Sequence, residues 1–245
     1  MQRIPTGIPG FDELIEGGLP EGRSFLVSGS TGTGKTILTM QFVFEGIRKY
    51  KEPGIYVTLD ERPNLLREDM LRFGWDLRKA ENENQLQIID GSVARIGMPS
   101  DEEFSISAGF DLDRLLVEVM RNARRIGAKR IVLDSIPALG FNYENENEVR
   151  KAILKISYML ERTGVTALLV TEVPEGSGQY SKYGVEEYVV DGIIVLHYAS
   201  VGAQGNRTIH VRKMRATKHS EALHPLSITA KGIMVSKQER AYEEV

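Results

Sequence analysis

FLVSGSTGTGKT, residues 25–36, opens on a short apolar run and closes on the pattern G-x-x-x-x-G-K-[ST]. Phe25-Leu26-Val27 has the composition of a parallel strand buried on both faces. Gly29, Ser30, Thr31, Gly32, Thr33, Gly34, Lys35 and Thr36 then read as a phosphate loop. A polyphosphate must be surrounded by backbone N–H groups, and side chains at Gly29, Gly32 and Gly34 would block that approach. Lys35 can reach the β and γ oxygens, and the Thr36 hydroxyl can ligate Mg²⁺. A helix starting here turns the positive end of its dipole toward the phosphates. The following run, Ile37 to Tyr50, is compatible with that helix. The strand before and the helix after separate this pattern from an ordinary glycine turn. The chain is expected to bind a nucleotide.

Composition sets limits around that reading. At 245 residues the chain is long enough for one large α/β domain with a well-buried core. Its 41% apolar and 27% charged content is ordinary for a soluble protein. A net charge of −3 supplies no overall attraction to nucleic acid or an anionic membrane. The sequence has no cysteine, which excludes disulfides, thiolate metal sites and cysteine nucleophiles together. Three prolines, Asp12 and Glu13 within the first twenty residues argue against a signal peptide. Even Val189–Leu196 is broken by Asp191, so no apolar run reaches membrane-spanning length, and a cytoplasmic location is expected.

From the N-terminus, turn residues lead to a short predicted helix from Pro9 to Ile15, stopped by Gly17-Gly18 and Pro20. Apolar residues nearly all round Thr36–Lys49 predict a helix packed against a sheet. Ile55–Leu59 predicts a strand ending in Asp60-Glu61, residues 63–72 a helix, and Leu86–Ile89 another strand. Gly91–Gly109 loses periodicity and reads as a long loop. Asp111 can cap an amphipathic helix carrying Leu112, Leu115, Leu116, Val119, Ala123 and Ile126, with Arg121, Arg124 and Arg125 on a solvated face. Arg130–Ser135 is a strand, Val149 to Leu160 marks a helix, and Val165–Thr171 is a strand again. This alternation implies a mostly parallel sheet with helices on both faces. The remainder, Gly192–Tyr198, Thr208–Lys213, Leu226–Thr229 and Ile233–Val235, offers strands without helices between them, hence an antiparallel extension. No linker, repeat or low-complexity tract interrupts the chain, so residues 1–245 are expected to form a single domain.

Partners for the phosphate loop stand at strand ends. Asp134 closes Ile131-Val132-Leu133 in the usual form of a second Mg²⁺ element, holding the ion through water. Asp60 and Glu61 close another strand, and ligands of open parallel sheets bind at such carboxyl ends. A carboxylate there could polarise a water attacking the γ-phosphate; a pair of solvated loop acids is the plainer alternative. Thr171, ending its strand beside Glu172, fits a γ-phosphate sensor or an ordinary buried threonine. Arg207, Arg212, Lys213, Arg215 and Lys218 read by themselves as a basic strand face or a polyanion patch.

Several stretches, in order, carry a family resemblance: TGIPGFDELIEGGLPEGR, VSGSTGTGKT, YVTLDERP, RFGWDL, RIVLDS, YGVEEYV and KMRATKHS. Spread from about Ile4 to Val235, they resemble the KaiC-like branch of the RecA-type ATPases. The resemblance implies a RecA-like α/β core, ATP as nucleotide, and a homo-oligomeric ring, expected to be a hexamer, with nucleotide at subunit interfaces. It makes Lys35 the phosphate lysine, Thr36 and Asp134 the Mg²⁺ residues, and the pair Asp60-Glu61 the source of the general base. Relatives usually carry two glutamates there. The shorter Asp60 stands back from the water, and a misplacement of ~1 Å can cost ~100-fold, so hydrolysis is expected to be slow unless Glu61 takes the role. Lys213-Met214-Arg215 match the segment that relatives insert into a neighbour's site, where a cation meets the charge building on the γ-phosphate. His219 follows at family spacing and is implied to touch that nucleotide. The segment after His219 matches the non-phosphorylated domain type, so no autokinase activity is expected. A regulatory or scaffold role follows from the resemblance. The alternative is a nucleic-acid-binding module, with Arg207–Lys218 and the loops Glu175–Tyr183 and Ser200–Asn206 facing a pore; net acidity and the lack of interleaved aromatics weigh against it.

Overall fold

Strand β3, Ser24–Gly29, is buried at every position and forms the middle of a nine-stranded sheet. In this computed structural model the described residues are 1–92, 100, 102, 104–105, 111–201 and 204–236. β3 pairs in parallel with β7 (Thr166–Glu172) on one side and β8 (Gly192–Val201) on the other. Beyond β7 come β6 (Arg130–Asp134), β4 (Gly54–Thr58) and β5 (Leu86–Asp90), all parallel. Beyond β8, the antiparallel strands β9 (Gln204–Met214), β10 (His224–Thr229) and β11 (Gly232–Val235) extend the sheet. The mostly parallel α/β architecture with an antiparallel C-terminal extension is therefore present.

Side-chain alternation divides the interior into two cores. Phe25 and Val27 face one, with Val132, Tyr56 and Ile194; Leu26 faces the other, with Ile55, Ile131, Leu169 and Ile193. Helices α1 (Lys35–Glu45), α2 (Pro63–Leu71) and α3 (Leu77–Asn82) cover the first face. Helices α4 (Leu112–Ile126) and α5 (Glu146–Thr163) cover the second. Asp111 and Asn145 cap these two by accepting backbone N–H bonds in the first turn, which starts each helix where the apolar period begins. A four-residue helix, α6 (Glu186–Val189), precedes β8.

Several local expectations shift. The helix expected from Pro9 is a 3-10 turn over Asp12–Ile15, because the Asp12 carboxylate accepts from the Thr6 N–H and hydroxyl and ties the preceding chain into a turn. The short strands β1 (Arg3–Ile4) and β2 (Leu19–Pro20) pair around that turn. α1 ends at Glu45 and continues as one π turn, Gly46–Tyr50. The fully buried Arg130 side chain lies against it, donating to the Phe42 and Pro5 carbonyls and to Glu52. β9 begins four residues before the expected Thr208, so the loop expected over Ser200–Asn206 is strand through Val201 and again from Gln204. Most of Gly91–Gly109 lies outside the described residues; within it Ser105 bridges Asp90. No described helix is long and apolar enough to cross a membrane.

Candidate functional site

The parallel register brings the expected residues together. Gly29 stands level with Glu172, and Thr58 with Asp134, so the loops after β3, β4, β6 and β7 open at one edge of the sheet. Between them lies a crevice of about 890 Å³ lined by the phosphate loop, Asp60, Glu61, Asp134, Glu172 and Arg207. Gly34 caps α1 with φ +102°, a conformation that glycine adopts freely. Gly29 is a glycine for a second reason: a Cβ there would lie 2.5 Å from the Leu196 carbonyl oxygen of β8.

The Lys35 ammonium donates to the Ser30 carbonyl at 2.8 Å and lies 3.8 Å from Glu172 Oε2. Burial pushes its pKa down, and the carboxylates of Glu172 and Asp134 work against that. Thr36 Oγ1 donates to Asp134 Oδ2 at 2.9 Å, and the buried Tyr56 hydroxyl donates to the same oxygen at 2.7 Å. Desolvation raises the Asp134 pKa; bonds from Tyr56 and Thr36 oppose the rise and the nearby Asp60 adds to it. A hydroxyl and a carboxylate side by side at a helix N-terminus are hard oxygen donors of the kind Mg²⁺ takes, so the residues present fit that ion.

Asp60 Oδ2 accepts from Ser135 Oγ at 2.5 Å, which holds the carboxylate beside the end of β6. Glu61 is half-buried and its pKa is raised, first by desolvation and then by Asp69 and Asp134. Both acids line the crevice. Thr171 does not: its side chain is fully buried, and its hydroxyl accepts from the Lys182 N–H at 3.4 Å. Its neighbour Glu172 reaches the loop instead, accepting from Thr31 Oγ1 at 2.5 Å.

Lys213, Arg215 and His219 stand elsewhere. Lys213 pairs with Ile193, and Ile193 with Leu26, three residues before Gly29, so it sits about 10 Å back along the strands from the loop. Its ammonium donates to the Glu187 and Val190 carbonyls, and burial lowers its pKa. Arg215 is half-exposed, 3.7 Å from Asp191. His219 Nδ1 lies 3.2 Å from the Ser220 carbonyl oxygen, and Ser220 is tied to Leu14 at the base of the sheet. None of the three lines the crevice.

Sequence reasoning missed Tyr56, Ser135 and Glu172 as site residues and assigned Arg207 to a basic strand face, a polyanion patch or a nucleic-acid-binding segment. Arg207 donates through Nε and Nη2 to the Gly32 carbonyl, at 3.2 and 3.1 Å, while its guanidinium covers the Tyr198 ring. The available signal was strand register: Tyr56 is two residues before Thr58, and Glu172 pairs with Gly29.

Fold and site define a class: a RecA-type α/β protein whose phosphate loop faces a Thr–Asp pair and two strand-end acids. The family model described as "ATPase: KaiC" matches residues 4–240. The circadian clock oscillator protein KaiC of Parathermosynechococcus lividus is 39% identical over 230 residues, which are 94% of this chain and 41% of that protein. The KaiC of Nostoc sp. is 38% identical over 235 residues, 96% of this chain and 44% of that one. The crystal structure of a KaiC-like protein from Pyrococcus horikoshii OT3 matches with a TM-score of 0.85 and 41% identity, over 96% of this chain and 99% of that chain. The chain belongs to the KaiC ATPase family. It spans less than half the length of the curated relatives it matches.

Proposed function

We propose that residues 1–245 act as one KaiC-like domain that binds ATP with Mg²⁺ and hydrolyses it slowly, within a cytoplasmic homohexameric ring of regulatory or scaffold function. The observation that carries the nucleotide reading is the convergence of Lys35, Thr36 and Asp134 on one crevice. Backbone N–H groups of Gly29–Thr36 and the Lys35 ammonium bind the polyphosphate. Thr36 and, through water, Asp134 would hold Mg²⁺, which when bound would neutralise charge on the phosphate oxygens. Asp60, oriented by the Ser135 hydroxyl, takes the proton of the attacking water; Glu61, whose raised pKa suits a base, stands beside it.

The placement of Lys213 and Arg215 supports the ring. They stand away from their own phosphate loop, which fits a role on the nucleotide of a second copy rather than their own. A head-to-tail contact of that kind forms a ring where its rotation closes. No autokinase activity belongs to this reading. The nucleic-acid alternative has less support, because Arg207 is engaged on the Gly32 carbonyl at the crevice.

Hydrolysis assays on wild type and three variants test the chemistry. Lys35→Ala is expected to abolish ATP turnover, and Asp60→Asn to lower kcat roughly 100-fold, the usual worth of a general base. Glu61→Gln is expected to have the smaller effect. Unchanged rates in both acidic variants would remove the base assignment.

A further inference from the structure

Two donors converge on one oxygen of Asp134. A carboxylate only accepts, so Thr36 and Tyr56 both donate to Oδ2. The single proton of Tyr56 is then committed. The Thr39 hydroxyl lies 3.2 Å from Tyr56 Oη and shares its one proton among that oxygen and two backbone carbonyls. Thr39 also lies 3.1 Å from the Lys35 carbonyl oxygen and 3.2 Å from that of Thr36. A short polar chain thus runs from the first turn of α1, through β4, to the end of β6. Tyr56 is only 1% exposed. Phenylalanine would fill the same space on β4 without placing a hydroxyl in a dry setting, which is costly unless the hydroxyl is hydrogen-bonded. What the hydroxyl meets is the carboxylate.

We propose that Tyr56 is a positioning residue for the metal-binding carboxylate, fixing Asp134 independently of Thr36, whose own hydroxyl is the expected Mg²⁺ ligand. The inference rests on the Mg-ATP reading of the crevice. Partners that orient a metal-binding group typically cost 10–100-fold in metal affinity when removed.

The test compares wild type and Tyr56→Phe for binding of a fluorescent ATP analogue, with saturating Mg²⁺ and with chelator. The readout is the ratio of the two affinities. Tyr56→Phe is expected to lower that ratio at least ~10-fold and to raise the Mg²⁺ concentration for half-saturation by a similar factor. Thr39→Val keeps the phenol but removes the hydroxyl beside it; it is expected to move the ratio the same way, by less. It also serves as the deciding variant should Tyr56→Phe fail to fold. An unchanged ratio, with or without a lower melting temperature, would make the Tyr56 hydroxyl merely structural and overturn the proposal. Wild type that binds the analogue equally well with chelator would instead overturn the metal reading beneath it.

Discussion

At Gly46 an added methyl group would stand 2.3 Å from Arg130 Nε, and Arg130 has nowhere to move, since its side chain is fully buried and bonded to Glu52, Phe42 and Pro5. Gly46→Ala is therefore expected to destabilise the protein by about 1–3 kcal/mol through overpacking, read from the urea midpoint. A midpoint equal to that of wild type would mean the Arg130 packing is looser than described. The same residue-level view explains what could be read in advance. Lys35, Thr36 and Asp134 announce themselves because residue type and strand-end position suffice. Glu172 carries no local signal: one of many acids, it gains its place only when β3 and β7 come into register. Thr171, the more suggestive residue by type, is turned into the core one position earlier, because neighbours on a strand face opposite ways.

Among the elements, the β8–β9 hairpin holds a pair of histidines whose rings stack 5.0 Å apart, with His197 Nε2 2.9 Å from His210 Nδ1. Desolvation lowers both pKa values, His210 to about 4, with the positive charges of His197, Arg212 and His219 adding to the effect. The sign follows. Between pH 6.5 and about 4 the unfolded chain takes up a proton at His210 that the folded hairpin refuses. Stability is thus expected to fall as pH drops through that window. The melting temperature of His210→Gln should show a shallower decline over the same range, and an identical pH profile would remove the pair from the account. Element boundaries were the less legible part of the sequence. β9 runs longer than its apolar core indicated, because pairing with β8 carries polar residues into the ladder. α3, of six residues, is too short to show a period and is set by its Asp76 cap. The helix of the phosphate loop was plain because its apolar residues and its start signal agreed.

On the scale of the whole molecule, the sheet separates two sets of proposed site residues. The crevice at the carboxyl edge holds the loop, Thr36, Asp134 and the acids, while Lys213 and Arg215 lie at the other end of the β8–β9 hairpin. Sequence placed the acids and the cations at strand ends and on strands, yet only the register shows how far apart they lie within one copy. Two incomplete proteins can test this division directly. Lys35→Ala keeps Lys213 and Arg215 but has no working phosphate loop; the double variant Lys213→Ala, Arg215→Ala keeps the loop and lacks the cations. Each alone is expected to be inactive. Co-expressed, so that mixed rings form, they should recover ATP hydrolysis at about a quarter of interfaces, where an intact loop meets an intact cation pair from its neighbour. Mixed protein as inactive as either parent would contradict a site shared between copies.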